Sequence, residues 1–117
     1  MKQYEIWNDH ECLADKVAVA DTFLSRFFGL MPKRELPRGE GLFLQDCRSI
    51  HCFFMRFPID VVYLNDTFTV VGRETVSPWH VGTIFRGTRH VLELCAGCTT
   101  QVRPGMQLIV KEVNRNE

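Results

Sequence analysis

The alternation of hydrophobic and polar positions predicts that this chain is built mainly from short β-strands. Residues 59–64 are apolar at both alternating sets of positions, which is typical of a strand buried on both sides. The turn signal at 65–66 separates that strand from a partner over 67–76, so we expect a hairpin. Further strands are predicted over 4–7, 12–19, 41–44, 89–94 and 107–113.

One segment has helical rather than strand periodicity. Phe23, Phe27 and Leu30 fall at helical spacing, and Pro32 ends the pattern. Six or seven short strands separated by turns, with one short helix, favour a mainly β (α+β) domain. We expect a small closed or partly open antiparallel β-barrel with the helix packed across one opening.

Length and composition indicate one ordinary globular domain over residues 1–117. Of the 117 residues, 45% are hydrophobic, and 14 basic residues balance 14 acidic ones. Because no concentrated basic face is evident, nucleic acid is not an expected partner. The polar N-terminus lacks the apolar core of an export signal, and no apolar stretch approaches the length of a membrane span. We therefore expect a cytoplasmic protein with no membrane partner.

Five cysteines raise the question of metal or redox chemistry. An odd number, without an export signal, argues for reduced thiols, and buried cysteines commonly just fill a core. Cys95 and Cys98 have the two-residue spacing of zinc knuckles and of redox pairs. Cys47, with His51 or Cys52, could complete a four-ligand zinc site. A second such pair is missing, so we predict no metal and no cofactor and keep zinc and redox chemistry as alternatives.

Asp60 lies at the centre of the candidate chemistry. It shares a strand face with Val62 and Leu64, so we expect a buried carboxylate that needs partners. The candidate partners are Arg26, His51, Arg56 and Arg86. Asp60 could equally anchor the bend at Pro58 by accepting backbone N–H groups. The Phe57–Pro58 bond at this bend is itself a candidate for the cis form.

A nucleophilic site is the sharpest reading of the same region. His51 stands among apolar residues, where a histidine is more often a hydrogen-bonded core residue than a ligand. Cys47 lies four residues before His51, and Asp60 could approach His51 across the proline bend. A thiol, an imidazole and a carboxylate are the groups that a cysteine-dependent hydrolase or transferase requires. These three residues are therefore candidates for catalysis.

Several motifs in order resemble the domain of unknown function 192 family over roughly residues 13–113. In this sequence they are Arg26-Phe-Phe-Gly-Leu-Met31, Gly41-Leu-Phe-Leu44, Ser49-Ile-His-Cys-Phe-Phe-Met-Arg-Phe-Pro-Ile-Asp-Val-Val-Tyr-Leu64, Pro78-Trp79, Val91-Leu-Glu-Leu94 and Ala96-Gly97. The resemblance implies a compact, mostly β domain, found in bacteria and archaea, with no established reaction. Cys52 and the pair at 95 and 98 depart from the family's usual residues.

The resemblance also selects the residues expected to line a shared site. They are Arg26, Cys47, His51, Asp60, Trp79 and Glu93. The favoured function is a non-catalytic binding module whose cleft is formed by the 47–60 segment and the loop that carries Trp79. It would take a small molecule or a protein segment. The alternatives are the cysteine–histidine enzyme and a structural zinc protein.

Overall fold

The computed structural model describes residues 3–20, 35–50 and 55–113, and within these ranges the chain is mainly β. The strands are β1 (Gln3–Asn8), β2 (Glu11–Ala20), β3 (Glu40–Leu44), β4 (Ile59–Leu64), β5 (Val70–Val76), β6 (His90–Cys95) and β7 (Ile109–Val113). All seven belong to one sheet, in the order β5-β4-β6-β3-β2-β1-β7. The helix expected between Phe23 and Leu30 lies outside the described residues. Among those that are described, no helix is long and apolar enough to cross a membrane.

The sheet is mixed, which corrects the expectation of an antiparallel one. β2 and β3 run parallel, with Val17 opposite Gly41 and Val19 opposite Phe43. The connection between these two strands spans residues 21–39. That length can carry the chain back to the end of the sheet from which β2 started, as a parallel pair requires.

The named strands do not close into the expected barrel, because β5 and β7 remain the two ends of the strand order. The start of β5, with the residues just before it, does meet the segment that precedes β7. Thr69 and Gln107 form an isolated bridge, and the N–H of Val70 donates to the carbonyl of Met106 at 2.8 Å. Beyond this point β5 is hydrogen-bonded to β4 and β7 to β1.

Both faces of the sheet are covered by apolar side chains. All six residues of β4 are buried, which confirms what its pattern predicted. The Tyr63 face carries Leu36, Leu42, Leu44, Ile50, Met55, Ile59, Val61, Tyr63, Val76 and Val91. The Leu64 face carries Ile6, Ala14, Val17, Phe43, Val62, Leu64, Val70, Leu92, Leu94, Val102 and Leu108. Alternation therefore places Asp60 on the Leu64 face and Glu93, between Leu92 and Leu94, on the Tyr63 face.

Candidate functional site

Asp60 is fully buried in β4, and hydrogen-bond donors occupy both oxygens of its carboxylate. Oδ1 accepts the Thr75 hydroxyl at 2.7 Å. Oδ2 accepts the backbone N–H and the hydroxyl of Thr99 at 3.1 and 2.7 Å. The guanidinium of Arg73 lies 3.7 Å from Oδ2, and its Nε donates to the Thr99 hydroxyl at 3.0 Å. These contacts supply the compensation that a buried charge requires.

The charge state of Asp60 follows from the same contacts. Burial alone would raise the pKa of this carboxyl, but hydrogen bonds from Thr99, Thr75 and the backbone N–H of Gly97 outweigh it. The pKa is therefore held below its usual value. Asp60 is an anion at neutral pH, enclosed by donors from β5 and from the segment after β6.

The partners of Asp60 differ from those that the sequence indicated. Within the described ranges the cation that reaches its carboxylate is Arg73, and neither Arg56 nor Arg86 does. Arg26 and His51, the other two candidates, lie outside the described residues. The accepted backbone N–H groups belong to residues 97 and 99, not to the proline bend. No peptide bond described here is cis, so the bend itself is also of the ordinary trans form.

A signal for part of this network was present in the sequence. The hairpin register pairs Asp60 with Thr75 and Val62 with Arg73. Both donors lie in the predicted partner strand over 67–76. Counting outward from the turn at 65–66 would have placed Val71 opposite Asp60, whereas the register shifts between Tyr63 and Leu64 and Thr75 takes that place. No such count could have found Thr99, because it follows β6, whose place beside β4 depends on the strand order.

Asp60 and Cys47 lie on opposite faces of the sheet. Cys47 packs against the cluster of the Tyr63 face, and its thiol donates to the Ser49 carbonyl at 3.0 Å. In a nucleophilic triad one imidazole must contact both the nucleophile and the carboxylate. Because the sheet separates Cys47 from Asp60, the structure gives no support to an enzyme that uses both residues.

Glu93 is a second buried carboxyl, and its surroundings contrast with those of Asp60. It is 6% exposed and lies between Leu42 of β3 and Val61 of β4 on the Tyr63 face. Burial raises the pKa of Glu93 to about 8. The side chain is therefore mostly protonated, and uncharged, at neutral pH.

Cys95 and Cys98 are joined by a disulfide, which corrects the expectation that all thiols are reduced. The N–H of Cys98 donates to the carbonyl of Cys95 at 3.1 Å, and Gly97 has a φ of 86°. A positive φ at the third residue is the mark of a type II turn. The pair therefore lies on a turn after β6, not at the start of a helix. In the described part of the chain no group of three or more His, Cys, Asp or Glu side chains could hold a metal ion.

A groove lies where the segment after β3 meets the loop before β6. Its volume is about 470 Å³, and its lining residues are Arg48, Asp66, Ile84, Phe85, Arg86, Gly87, Thr88 and Arg89. Two backbone hydrogen bonds hold its walls together. Cys47 N–H donates to the Arg89 carbonyl at 2.9 Å, and Arg89 N–H donates to the Leu64 carbonyl at 2.7 Å.

The wall formed by the loop over residues 77–89 is built on the β4–β5 hairpin. The Glu74 carboxylate accepts the Tyr63 hydroxyl at 2.6 Å, and it accepts the N–H and the hydroxyl of Thr83 at 2.6 and 2.8 Å. The Phe85 ring packs over Gly72 and stands 4.7 Å from the Tyr63 ring. A Cβ at position 72 would lie 2.3 Å from the Phe85 ring, so this packing needs glycine.

The groove carries more positive than negative charge. Arg89 forms an ion pair with Asp46 at 2.7 Å, and Asp66 is the carboxylate among the lining residues. Arg48 and Arg86 form no ion pair within the described ranges. Two guanidinium groups therefore face solvent beside the groove without a charged partner from those ranges.

Trp79 lies in the first half of the same loop and is not among the groove's lining residues. Its side chain is 59% exposed, and Ile84, which does line the groove, is 78% exposed. Of the region in which the sequence predicted a cleft, the groove includes Arg48 and the second half of the Trp79 loop. Asp60 takes no part in it.

Comparison with known proteins identifies the relatives of this fold. The family model for domain of unknown function 192, described as "Uncharacterized ACR", matches residues 5–110. A UPF0127 protein of Pyrococcus horikoshii is 34% identical over 94 residues, which cover 76% of this chain and 80% of the relative. A UPF0127 protein of Thermococcus kodakarensis is 35% identical over 82 residues, which cover 67% of this chain and 52% of the relative. These two relatives are archaeal.

Two crystal structures share the fold. A protein of unknown function from Novosphingobium aromaticivorans superposes with a TM-score of 0.78 at 18% identity, covering 91% of this chain and 82% of that one. A protein of Sinorhizobium meliloti described as a "putative transcription regulator" gives a TM-score of 0.76 at 21% identity, covering 94% of each chain. At these identities the likeness concerns the fold alone.

Proposed function

The chain belongs to the domain of unknown function 192 family, and we propose that it is a binding module that holds a small anionic molecule in the arginine-lined groove. The proposal includes no catalytic step. It is supported by one observation: three arginines and an exposed isoleucine line a space of about 470 Å³. Small-molecule sites commonly have this size, with a few charged groups beside apolar surface.

The lining residues favour an anion that also carries a ring or a short apolar group. A guanidinium can donate two parallel hydrogen bonds to a carboxylate or a phosphate. Arg48 and Arg86 are available for such bonds, whereas Asp46 already orients Arg89. Ile84 offers apolar surface next to them. Gly87 has no side chain and open space where a Cβ would be, so a ligand can approach the backbone there.

The setting of this module is a separate part of the proposal. We propose that the protein works in the cytoplasm. The ligand would then be a small cytoplasmic metabolite with a carboxylate or phosphate group, taken up at an open groove at the surface.

Phenyl phosphate tests the groove directly, because it combines one phosphate with one ring. We expect its addition to isotope-labelled protein to shift the backbone amide signals of Arg48 and of residues 86–89. The double variant Arg48→Ala/Arg86→Ala should bind it at least about tenfold more weakly, since a hydrogen bond to a charged group contributes roughly 1.5–3 kcal/mol. Arg38→Ala is the matched control: Arg38 is exposed and precedes β3, whereas Arg48 follows that strand.

The same titration separates the outcomes. Benzoate in place of phenyl phosphate distinguishes a preference for carboxylate from one for phosphate, and phenol reports what the ring alone contributes. Signal shifts outside the groove, or an affinity that the double variant leaves unchanged, would overturn the proposal.

A further inference from the structure

We propose that Cys95 and Cys98 form a reversible redox site that exchanges two electrons with an external dithiol. The pair stands at the end of β6, whereas the groove lies at its start. Six residues of extended strand separate the two places by roughly 17 Å. The redox site is therefore independent of the ligand groove.

The backbone of the turn is held by contacts that do not involve sulfur. The hydrogen bond from Cys98 N–H to the Cys95 carbonyl closes the turn, and Gly97 supplies the left-handed conformation that the turn needs. The Cα atoms of the two cysteines are 5.6 Å apart, within the usual range for a disulfide. The same turn can thus carry either two thiols or one disulfide.

The buried anion of Asp60 anchors the turn from below. Its carboxylate accepts the backbone N–H groups of Gly97 and Thr99 and the hydroxyl of Thr99. A reduced turn keeps all of these bonds. Reduction should therefore be a local event, because the fold around residues 95–99 does not depend on the sulfur–sulfur bond.

The turn is also open to a second molecule. Ala96 and Gly97 are exposed, both cysteines are partly exposed, and a Cβ placed on Gly97 would meet nothing within 4 Å. A thiol can therefore reach the disulfide from solvent.

A purely structural role does not account well for this disulfide, because it can stabilise the fold only slightly. It joins residues only three apart in the sequence, and the stabilisation that a disulfide gives through the unfolded chain decreases as the closed loop becomes shorter. In the cytoplasm, the location proposed above, disulfides outside the hyperthermophiles are usually transient and belong to catalytic or redox-sensing sites.

The external dithiol supplies all the electrons and protons that the exchange requires. One thiolate of the dithiol attacks a sulfur of the Cys95–Cys98 bond, which breaks that bond, forms a mixed disulfide and releases the other cysteine as a thiolate. The second thiolate of the dithiol then attacks the mixed disulfide and releases the remaining cysteine. The dithiol becomes a disulfide and loses two electrons and two protons, and the two cysteines gain them.

A redox titration tests the proposal on the unmodified chain. The protein is equilibrated with mixtures of reduced and oxidised dithiothreitol, the thiols are alkylated, and each of the five cysteines is followed by peptide mass spectrometry. We expect Cys95 and Cys98 to become alkylated together in a single two-electron transition. Amide spectra recorded across that transition should remain those of the folded protein, with changes confined to residues 95–99 and their contacts at Asp60 and Arg73.

Two results would overturn the proposal. One is a pair that stays oxidised until the protein unfolds, which would make the disulfide structural. The other is a pair that is already reduced in fully oxidised buffer. The variant Cys12→Ser/Cys47→Ser, which removes the free thiols of the described ranges, is the matched control and should keep the same midpoint. Binding of phenyl phosphate is measured in a separate experiment, so a failure of the groove proposal can be distinguished from a failure of the redox proposal.

Discussion

Thr99 donates both its backbone N–H and its hydroxyl to the same carboxylate oxygen of Asp60, at 3.1 and 2.7 Å. Asp60 lies on the fully buried strand β4, while Thr99 follows the exposed turn after β6, 39 residues further along the chain. The contact ties a surface turn to a buried strand that lies between β5 and β6. The contribution of this contact can therefore be measured as a change in the free energy of unfolding of the domain.

Asp60→Asn should lower the free energy of unfolding at neutral pH by about 2–4 kcal/mol. An amide keeps the shape of the carboxylate but replaces one acceptor oxygen by a donor, which leaves at least one buried donor unsatisfied. Denaturant unfolding followed by circular dichroism measures the change. Asp9→Asn is the control, since Asp9 is exposed and has a φ of 51°, which asparagine tolerates. Equal effects of the two substitutions would contradict the prediction.

The same carboxyl should make the protein sensitive to acid. Because the pKa of Asp60 is lowered by folding, its contribution to stability is present above the unfolded value of 3.8 and is lost as pH falls through the folded pKa. The free energy of unfolding of the wild type should therefore fall below about pH 4 more steeply than that of Asp60→Asn. Denaturant midpoints between pH 2 and pH 6 compare the two proteins. Parallel curves would show that Asp60 does not titrate as expected.

The Glu93 carboxyl should make the stability of the wild type depend on pH in the opposite sense, and Glu93→Gln should remove that dependence. The pKa of Glu93 rises from 4.5 to about 8 on folding, so between these values the unfolded chain ionises while the folded chain does not. The wild type should therefore lose stability as pH rises from 4.5 to 8. Linkage sets an upper limit of about 5 kcal/mol on that loss. The glutamine variant should be the more stable protein at pH 8 and should differ little at pH 4.

Thermal unfolding over that pH range measures the effect of Glu93→Gln. Glu35→Gln, which changes an exposed glutamate, is its control and should leave the curve unchanged. A glutamine variant that is less stable than the wild type at pH 8 would mean that the Glu93 carboxyl is charged in the folded protein.

Gly72→Ala should destabilise the domain by about 1–3 kcal/mol, because the added methyl group meets the Phe85 ring. The cause can be isolated with a double-mutant cycle. In a Phe85→Ala background, the same glycine substitution should cost much less, since the ring is gone. Additive free energies of unfolding in the cycle would exclude the contact as the cause.

Local pattern was enough to place the strands and the buried carboxylate. Along β4 the side chains alternate between two faces whatever the neighbouring strands are, so apolar residues at every position except Asp60 required two covered faces. The free-energy cost of an isolated buried charge then required partners for that residue. Both conclusions depend on residues close together in the sequence, and both agree with the structure.

What surrounds these residues was decided by the tertiary structure. The order β5-β4-β6 puts Thr75 on one side of Asp60 and the turn after β6 on the other, and the parallel pairing of β2 with β3 rules out a purely antiparallel sheet. The arginine-lined groove arises in the same way, from segments that the pairing of β6 with β3 and β4 brings together. The sequence by itself determined which side chains must be inside, because burial follows from local alternation. Their partners depend on strand neighbours far apart along the chain, which the packing of the complete sheet selects.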